Sequence, residues 1–262
     1  MALEIRDAAA IAAMRRAGAA AAATLAEVGA RLRPGVATAT IDAWVRAATA
    51  RQGGRPSQLG HHGFPAAVCT SVNEVVCHGI PRADVVLREG DIVNVDVTTE
   101  LDGYHGDTSA TFAIGEPSPQ CAALVEATRR ALAAGIAAVR AGARLGDLGA
   151  AIEASAAADG FGVVEQFCGH GIGRRMHESP QVCHTGRAGT GLRLRAGMTF
   201  TIEPMLTIGR PPLRVDEDGW TVRTADGSPS AQFEHTVLVL AGGCEILTQP
   251  PAPVQRPSLP ER

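Results

Sequence analysis

The stretch GDIVNVDVTTELDGYHGDTS, residues 90–109, predicts a β-hairpin that carries two acids on one face. Valines alternate with polar residues from position 92 to 98, which is the period of a strand with one apolar face. The Asp-Gly pair at 102–103 is a strong indicator of a two-residue hairpin turn. With that turn, Asp96 and Asp107 lie diagonally opposite each other on the polar face.

Two carboxylates on one polar face, backed by valines, repel each other. Either one of them takes up a proton, or a cation lies between them. The hairpin alone also allows a third interpretation, in which the polar face is simply solvated.

The second half of the chain supplies matching acids. Segment 198–203 alternates and ends in Glu203 before a proline, and segment 230–237 alternates around Glu234. A lone glutamate between apolar neighbours is costly to bury unless it is paired or bound to a metal. His170 lies between two glycines, whose bare backbone suits a closely approached ligand. Taken alone, His170 is better explained as a core histidine that has a satisfied hydrogen bond.

Two aspartates, two glutamates and one histidine on strand-like segments form a candidate metal-binding set. Its members are Asp96, Asp107, His170, Glu203 and Glu234. Such carboxylates with a single imidazole suit a pair of divalent ions such as Mn, Fe or Co better than a thiolate zinc site. The zincin motif H-E-x-x-H, the dinucleotide motif G-x-G-x-x-G and the serine-hydrolase motif G-x-S-x-G are all missing from the sequence.

Length and composition narrow the class of protein. The 262 residues allow one large or two small domains, and a net charge of −3 argues against a general nucleic-acid binder. All 24 basic residues are arginines, which excludes a Schiff-base lysine and a P-loop lysine. The six cysteines form no C-x-x-C motif. With neither a leader pattern nor an apolar run of about 18 residues, we expect no membrane span and a reducing cytoplasm.

Helical and strand-like segments alternate in an order that repeats. Helices are predicted over 4–31, 40–51, 119–140 and 146–158, and strands over 68–76, 85–87, 92–99, 108–114, 161–166, 198–208, 213–223 and 231–240. A shift of 107 residues places Gly35 on Gly142 and Asp96 on Glu203. Two similar α+β halves would pack about a pseudo-twofold axis with a site between them. Chance matching in an Ala- and Gly-rich chain is the alternative.

Eight ordered motifs run through the chain. They are VNEVVCHGIP (72–81), GDIVNVDVT (90–98), HGDT (105–108), CGHGIGR (168–174), HESPQV (177–182), GMTFTIEP (197–204), DGWTV (218–222) and FEHT (233–236). They resemble the motifs of type I methionine aminopeptidases, the short bacterial form in subfamily A of the M24 peptidases. The resemblance implies an α+β pita-bread fold, two pseudo-twofold-related halves around a central dinuclear metal site. It implies one catalytic domain over 2–248, with halves of approximately 2–115 and 116–248. The remaining residues, 249–262, are rich in proline and polar residues, and this composition predicts a flexible tail.

The resemblance also implies roles for the candidate residues. Asp107 and Glu234 would bridge two divalent ions (Co, Mn, Fe, Zn or Ni), Asp96 would complete one ion, and His170 with Glu203 the other. Bridged ions lower the pKa of water, and the resulting hydroxide would attack the first peptide carbonyl. The catalytic set would comprise Glu203 as the proton shuttle, His177 for the developing oxyanion and His78 for the scissile amide region, with both histidines also binding substrate.

An apolar pocket for the methionine side chain is implied as well. By position, its members would be Phe64, Cys69, Phe167, Met176 and Trp220. The sequence departs from the common family pattern at His61 and Met176, which stand where bulky aromatic residues are frequent. Asn73, Val75 and Ser230 match positions that hold a monovalent cation in some relatives.

The implied activity is removal of the N-terminal methionine from nascent proteins when the second residue is small and uncharged. We expect methionyl peptides and nascent chains as partners, a transient ribosome contact, no membrane or specific nucleic acid, and a monomer in the cytoplasm. Aminopeptidase P or prolidase is the first alternative, although those enzymes usually carry a large N-terminal domain and only about three residues precede the first predicted helix here. A metal-free binding module, or a protein whose main role is a ribosome contact, are further alternatives.

Overall fold

The structure is a computed structural model that describes residues 4–249. The helices in this range are α1 Ala8–Gly29, α2 Thr38–Arg51, α3 Pro119–Ala137 and α4 Leu145–Ala158. The strands are β1 Arg55–Pro56, β2 Cys69–Val72, β3 Val75–Cys77, β4 Ile92–Leu101, β5 Tyr104–Ala113, β6 Phe161–Val163, β7 Gly169–Gly171, β8 Glu178–Val182, β9 Thr199–Ile202, β10 Met205–Ile208, β11 Leu213–Val215, β12 Val222–Thr224, β13 Ser230–Gln232, β14 Glu234–Val239 and β15 Cys244–Ile246. Apart from Gln249, the predicted flexible tail 249–262 lies outside the described residues.

One large antiparallel sheet organises the molecule. Its strand order is β1-β4-β5-β14-β9-β7-β8, with β2 also pairing β4 and β15 also pairing β14. Two small sheets, β13-β10-β6 and β11-β12-β3, complete the fold. The two halves of the chain therefore meet at the β5–β14 pair in the middle of the large sheet.

The predicted hairpin is confirmed in its register. Thr98 lies opposite Asp107 in the β4–β5 ladder, and Asp102 at the turn has the left-handed φ of 54°. The valines of β4 pack with α1 and α2 in one hydrophobic cluster, which places the alternate polar residues on the opposite face of the sheet. That opposite face carries the site.

The predicted internal repeat is also visible in the structure. Helices α2 and α4 begin and end 107 residues apart, at 38–51 and 145–158. The turn before each helix is closed by the same hydrogen bond, from Gly35 N to Leu87 O at 2.8 Å and from Gly142 N to Leu194 O at 2.9 Å. This correspondence excludes chance matching as the source of the repeat.

Several predicted strands differ from the structure. Segment 85–87 forms only an isolated bridge at Val86. Segment 198–208 is broken at Glu203-Pro204, because proline has no N–H to donate to a ladder. Segment 213–223 is two strands of a hairpin, and 231–240 is interrupted at Phe233. Strands β1, β7, β8 and β15 were not predicted.

Helix α1 lies directly on β5 at a glycine. A Cβ added to Gly106 would lie 2.4 Å from Gly18 N and 2.6 Å from Ala17 C, both of them backbone atoms of α1. Gly106→Ala is therefore expected to lower the free energy of unfolding by about 1–3 kcal/mol, the usual range for overpacking. Gly242→Ala is the control, since nothing lies within 4 Å of its added Cβ. Urea unfolding measures the stability of both variants. Equal free energies of unfolding for Gly106→Ala and Gly242→Ala would contradict this close packing.

Within residues 4–249, none of the helices has the length and apolar character needed to cross a membrane.

Candidate metal centre

The structure brings the five candidate ligands to one place on the polar face of the large sheet. Asp96 lies on β4, Asp107 on β5, His170 on β7, Glu203 just after β9 and Glu234 at the start of β14. One ligand atom from each of Asp107, His170 and Glu234 lies within 4.8 Å of the other two. His170 Nε2 lies 3.6 Å from a Glu203 oxygen and 3.8 Å from an Asp107 oxygen. Both halves of the chain contribute to this cluster.

Hydrogen bonds orient the two aspartates. Thr98 Oγ1 donates to Asp107 Oδ1 at 2.7 Å, leaving Oδ2 on the side of His170. The side chain of Gln58 donates to the Asp96 carboxylate at 3.3 Å and to the Asp96 carbonyl at 2.9 Å. The same amide accepts the backbone N–H of Thr98 at 3.2 Å. Each aspartate is thus fixed in orientation by a neutral partner.

Neutral partners also hold Glu203. Thr201 Oγ1 donates to Glu203 Oε1 at 2.8 Å, and Gln232 donates to Oε2 at 3.3 Å. The backbone N–H of Glu203 donates to Nε2 of the buried His184 at 3.1 Å. These hydrogen bonds fix the chain at the break between β9 and β10, so the carboxylate of Glu203 keeps one orientation in the site.

The glycines beside His170 serve the packing of β7. An added Cβ would lie 2.4 Å from Thr201 O at Gly169 and 2.1 Å from Ser179 O at Gly171. Bare backbone is thus required by the neighbouring strands β9 and β8, and not by a ligand as the sequence suggested. The consequence for the site is the same, because close packing on both sides fixes the position of the imidazole.

The acids are strongly perturbed by burial and by one another. Burial raises the pKa of Asp107 to about 7, and burial with the nearby Asp107 raises that of Glu203 to about 8. Burial and the same neighbours raise the pKa of Asp96 and of Glu234 well above their ordinary values. Burial lowers the pKa of His170 to about 4, so this imidazole stays neutral near pH 7. The cluster thus holds excess negative charge whenever the acids ionise.

This donor set fits a pair of divalent ions. Four carboxylates supply hard oxygen ligands, and the neutral imidazole supplies one nitrogen, which is the mixture that Mn, Fe and Co accept. The repulsion that raises the acid pKa values is relieved when cations lie among them. The identity and number of the ions stay predictions.

A cavity of about 490 Å³ contains the candidate ligands and the predicted substrate-binding residues. Its lining includes Phe64, Cys69, His78, Phe167, Met176, His177 and Trp220, which are all seven of the predicted substrate-binding positions. The Trp220 ring lies edge-on against Phe64 at 5.2 Å between ring centroids. The cavity lining therefore combines an apolar cluster, which includes Phe64, Cys69 and Trp220, with the acids.

Two further histidines lie beside the ligands. His78 has a left-handed φ of 56°, and its ring lies 5.6 Å from Phe167. The ring of His177 lies 4.2 Å from that of His170, and its Nδ1 lies 3.1 Å from Nε2 of His61. Two causes lower the pKa of His177 to about 3: burial is the larger, and the neighbouring His170 is the next.

The residues of the predicted monovalent cation site also approach one another. The carbonyl of Asn73 accepts the N–H of Ser230 at 2.9 Å, and Val75 begins the strand that follows Asn73. Cation binding there stays a prediction.

Sequence reasoning missed the residues that support the ligands. Gln58, Gln232 and His184 contact Asp96 or Glu203 through pairings far apart along the chain, and no local pattern marks them. Thr98 and Thr201 are the exceptions. Thr98 lies opposite Asp107 on the polar face of the hairpin, and Thr201 lies two residues before Glu203 on the same alternating segment.

The comparison with known proteins agrees with this geometry. The sequence model of metallopeptidase family M24 matches residues 12–241. Methionine aminopeptidase A of Synechocystis is 50% identical over 235 residues, 90% of this chain and 93% of the relative. The methionine aminopeptidase of Escherichia coli K12 is 46% identical over 249 residues, 95% of this chain and 94% of the relative. The chain belongs to metallopeptidase family M24, among the methionine aminopeptidases.

Solved structures confirm the pita-bread fold of this M24 metallopeptidase. The methionine aminopeptidase of Rickettsia prowazekii superimposes with a TM-score of 0.93 at 42% identity, covering 95% of this chain and 100% of that one. A prolidase of Pyrococcus furiosus gives a TM-score of 0.77 at 19% identity, and the alignment covers 94% of this chain but only 65% of the prolidase. That second likeness shows a shared fold alone.

Proposed function

We propose that this M24 metallopeptidase removes the N-terminal methionine from peptides and nascent proteins whose second residue is small and uncharged. The observation that carries the proposal is the single cavity that joins the five candidate ligands to an apolar wall. A free amino terminus is attracted by the acidic cluster, and an unbranched thioether side chain suits the apolar wall. The names of relatives at 46–50% identity support removal of an N-terminal methionine.

We assign the metal ligands by position. Asp107 and Glu234 would bridge two ions, Asp96 would complete one ion, and His170 with Glu203 the other. When bound, such a pair of ions lowers the pKa of water and polarises the substrate carbonyl. The central position of Asp107 and Glu234, on the two strands that meet at the middle of the sheet, supports their bridging role.

The chain's own residues move the proton and bind the oxyanion. Glu203 would take a proton from the attacking water and pass it to the leaving amine. His177 would donate a hydrogen bond to the developing oxyanion, and His78 would bind the scissile amide region. Thr201 and Gln232 would restrict Glu203 to its working orientation.

The remaining details of the proposal concern the pocket and the setting. We assign Phe64, Cys69, Phe167, Met176 and Trp220 to the methionine pocket, on the evidence of their shared cavity. Residues 2–248 would act as one catalytic unit made of halves 2–115 and 116–248. The cytoplasm, a monomeric state, nascent chains and a transient ribosome contact stay part of the proposal.

A panel of peptides tests the activity. Protein loaded with Co, Mn or Fe is expected to release methionine from Met-Ala-Ser and Met-Gly-Ser, but not from acetylated Met-Ala-Ser or from Met-Leu-Ser. The acetyl group removes the free amine, and the leucine tests the limit on the second residue. The dipeptide Ala-Pro is the control for prolidase activity. Cleavage of Ala-Pro without methionine release, across a full metal titration, would contradict the proposal.

A further inference from the structure

His61 makes a contact that the mechanism above does not use. Its Nε2 lies 3.1 Å from Nδ1 of His177, which is a hydrogen-bond distance. The two ring centroids lie 5.0 Å apart. The contact joins a loop of the first half to the segment between β7 and β8 of the second half, across the cavity that both histidines line.

The loop that carries His61 is held by its own backbone. Gly60 N donates to Phe64 O at 2.8 Å, and Phe64 N donates back to His61 O at 2.9 Å. His61 N donates to the carbonyl of Gln58 at 3.0 Å. Phe64 is further packed against Trp220. The imidazole of His61 is therefore presented from a closed turn, in a fixed direction toward His177.

Two neutral imidazoles in such a contact must divide the roles of donor and acceptor. A neutral histidine carries one N–H, so the nitrogen that accepts leaves the proton on the other nitrogen. If His61 donates from Nε2, the Nδ1 of His177 is bare and its Nε2 carries the proton. If the direction is reversed, the Nε2 of His177 is bare and has no proton to donate.

We propose that His61 is a positioning residue that holds His177 in the tautomer with its proton on Nε2. This inference rests on the proposed function, in which His177 donates a hydrogen bond to the oxyanion. Burial and the adjacent His62 lower the pKa of His61, which keeps its ring neutral near pH 7.

The tautomer can be measured without metal or substrate. Long-range ¹H–¹⁵N spectra of ¹⁵N-histidine-labelled, metal-free protein at pH 7.5 report which ring nitrogen of His177 is bare, and the spectrum of His177→Asn assigns its signals. The wild type is expected to show a bare Nδ1 and a protonated Nε2. In His61→Phe the two tautomers are expected to mix. A wild-type His177 with its proton on Nδ1 would overturn the proposal.

Kinetics supply the second test. His61→Phe is expected to lower kcat for Met-Ala-Ser about tenfold with little change in KM, as loss of one hydrogen bond can. His61→Gln, whose amide N–H₂ can donate to the same nitrogen, is expected to recover most of the loss. His105→Phe is the matched control, because it makes the same change at a histidine that does not line the cavity, and it is expected to keep the wild-type kcat.

The outcomes separate this inference from the proposed function. Wild-type protein that releases no methionine contradicts the function, while the metal-free spectra still decide the tautomer. If His61→Phe and His61→Gln lower kcat/KM equally, by raising KM at unchanged kcat, His61 only shapes the pocket. That result would overturn the positioning role even in an active enzyme.

Discussion

Asp107→Asn is expected to lower methionine release on the order of 10³-fold or more, because it removes a candidate bridging carboxylate. An amide keeps the volume of the side chain and can still accept the hydrogen bond of Thr98, so the fold is preserved. It cannot supply the negative charge that holds two cations. Elemental analysis after dialysis against limiting metal is expected to show reduced metal content.

The control for this substitution lies on the same hairpin. Asp102→Asn makes the same chemical change at the exposed turn, where the carboxylate pairs with Arg16. This variant is expected to keep its activity and its metal content, because an exposed ion pair contributes little. If Asp107→Asn binds metal and releases methionine like the wild type, Asp107 is not a ligand.

Asp107→Asn should also stabilise the metal-free protein at alkaline pH. The pKa of Asp107 is raised to about 7 in the folded protein, whereas an unfolded aspartate gives up its proton near pH 4. The folded state therefore keeps a proton that the unfolded state has lost, so stability falls as pH rises through about 7. An asparagine does not ionise, and it also removes the repulsion felt by Glu203 and Glu234.

Thermal unfolding in the presence of a chelator measures this effect. The melting temperature of Asp107→Asn relative to the wild type is expected to increase from pH 5 to pH 8.5. Added metal should reverse the order of the two proteins, because a bound cation stabilises only a chain that retains its ligands. A difference that does not change with pH would show that Asp107 is not a source of charge strain.

The sequence predicts the part of the site that local pattern and the internal repeat determine. The alternation in 92–98 and the Asp-Gly turn determine which side chains share a face, so the opposition of residues 98 and 107 is readable from local pattern alone. The repeat then locates Glu203 as the counterpart of Asp96. Acids on strands with apolar neighbours stand out because their burial would otherwise be unfavourable.

Other features depend on contacts between distant segments. Strand β7 has three residues, two of them glycines, and its extended form is fixed by β8 and β9 on either side. Gln58 reaches Asp96 only because β1 pairs with the end of β4. Segment 85–87 has strand-forming composition, but its backbone hydrogen bonds reach only the turn 35–38 before α2, so it forms an isolated bridge with Ala37 and no longer ladder. Tertiary pairing, rather than local preference, decides these elements.

His177→Ala is expected to lower kcat about 10²-fold or more, the effect of removing one oxyanion donor. Metal content should remain near that of the wild type, because His177 is not one of the five candidate ligands. His105→Ala is the control, since that histidine is hydrogen-bonded to Ser57 and does not line the cavity.

The division between kcat and KM decides what His177 does. A donor that acts only on the developing negative charge lowers kcat and kcat/KM together and leaves KM nearly unchanged. A residue that only contacts the peptide in its ground state would raise KM at constant kcat. Loss of metal from His177→Ala would instead place His177 among the ligands, which its ring contact of 4.2 Å with His170 makes the strongest competing explanation. Kinetics combined with elemental analysis of the same preparation therefore distinguish all three roles.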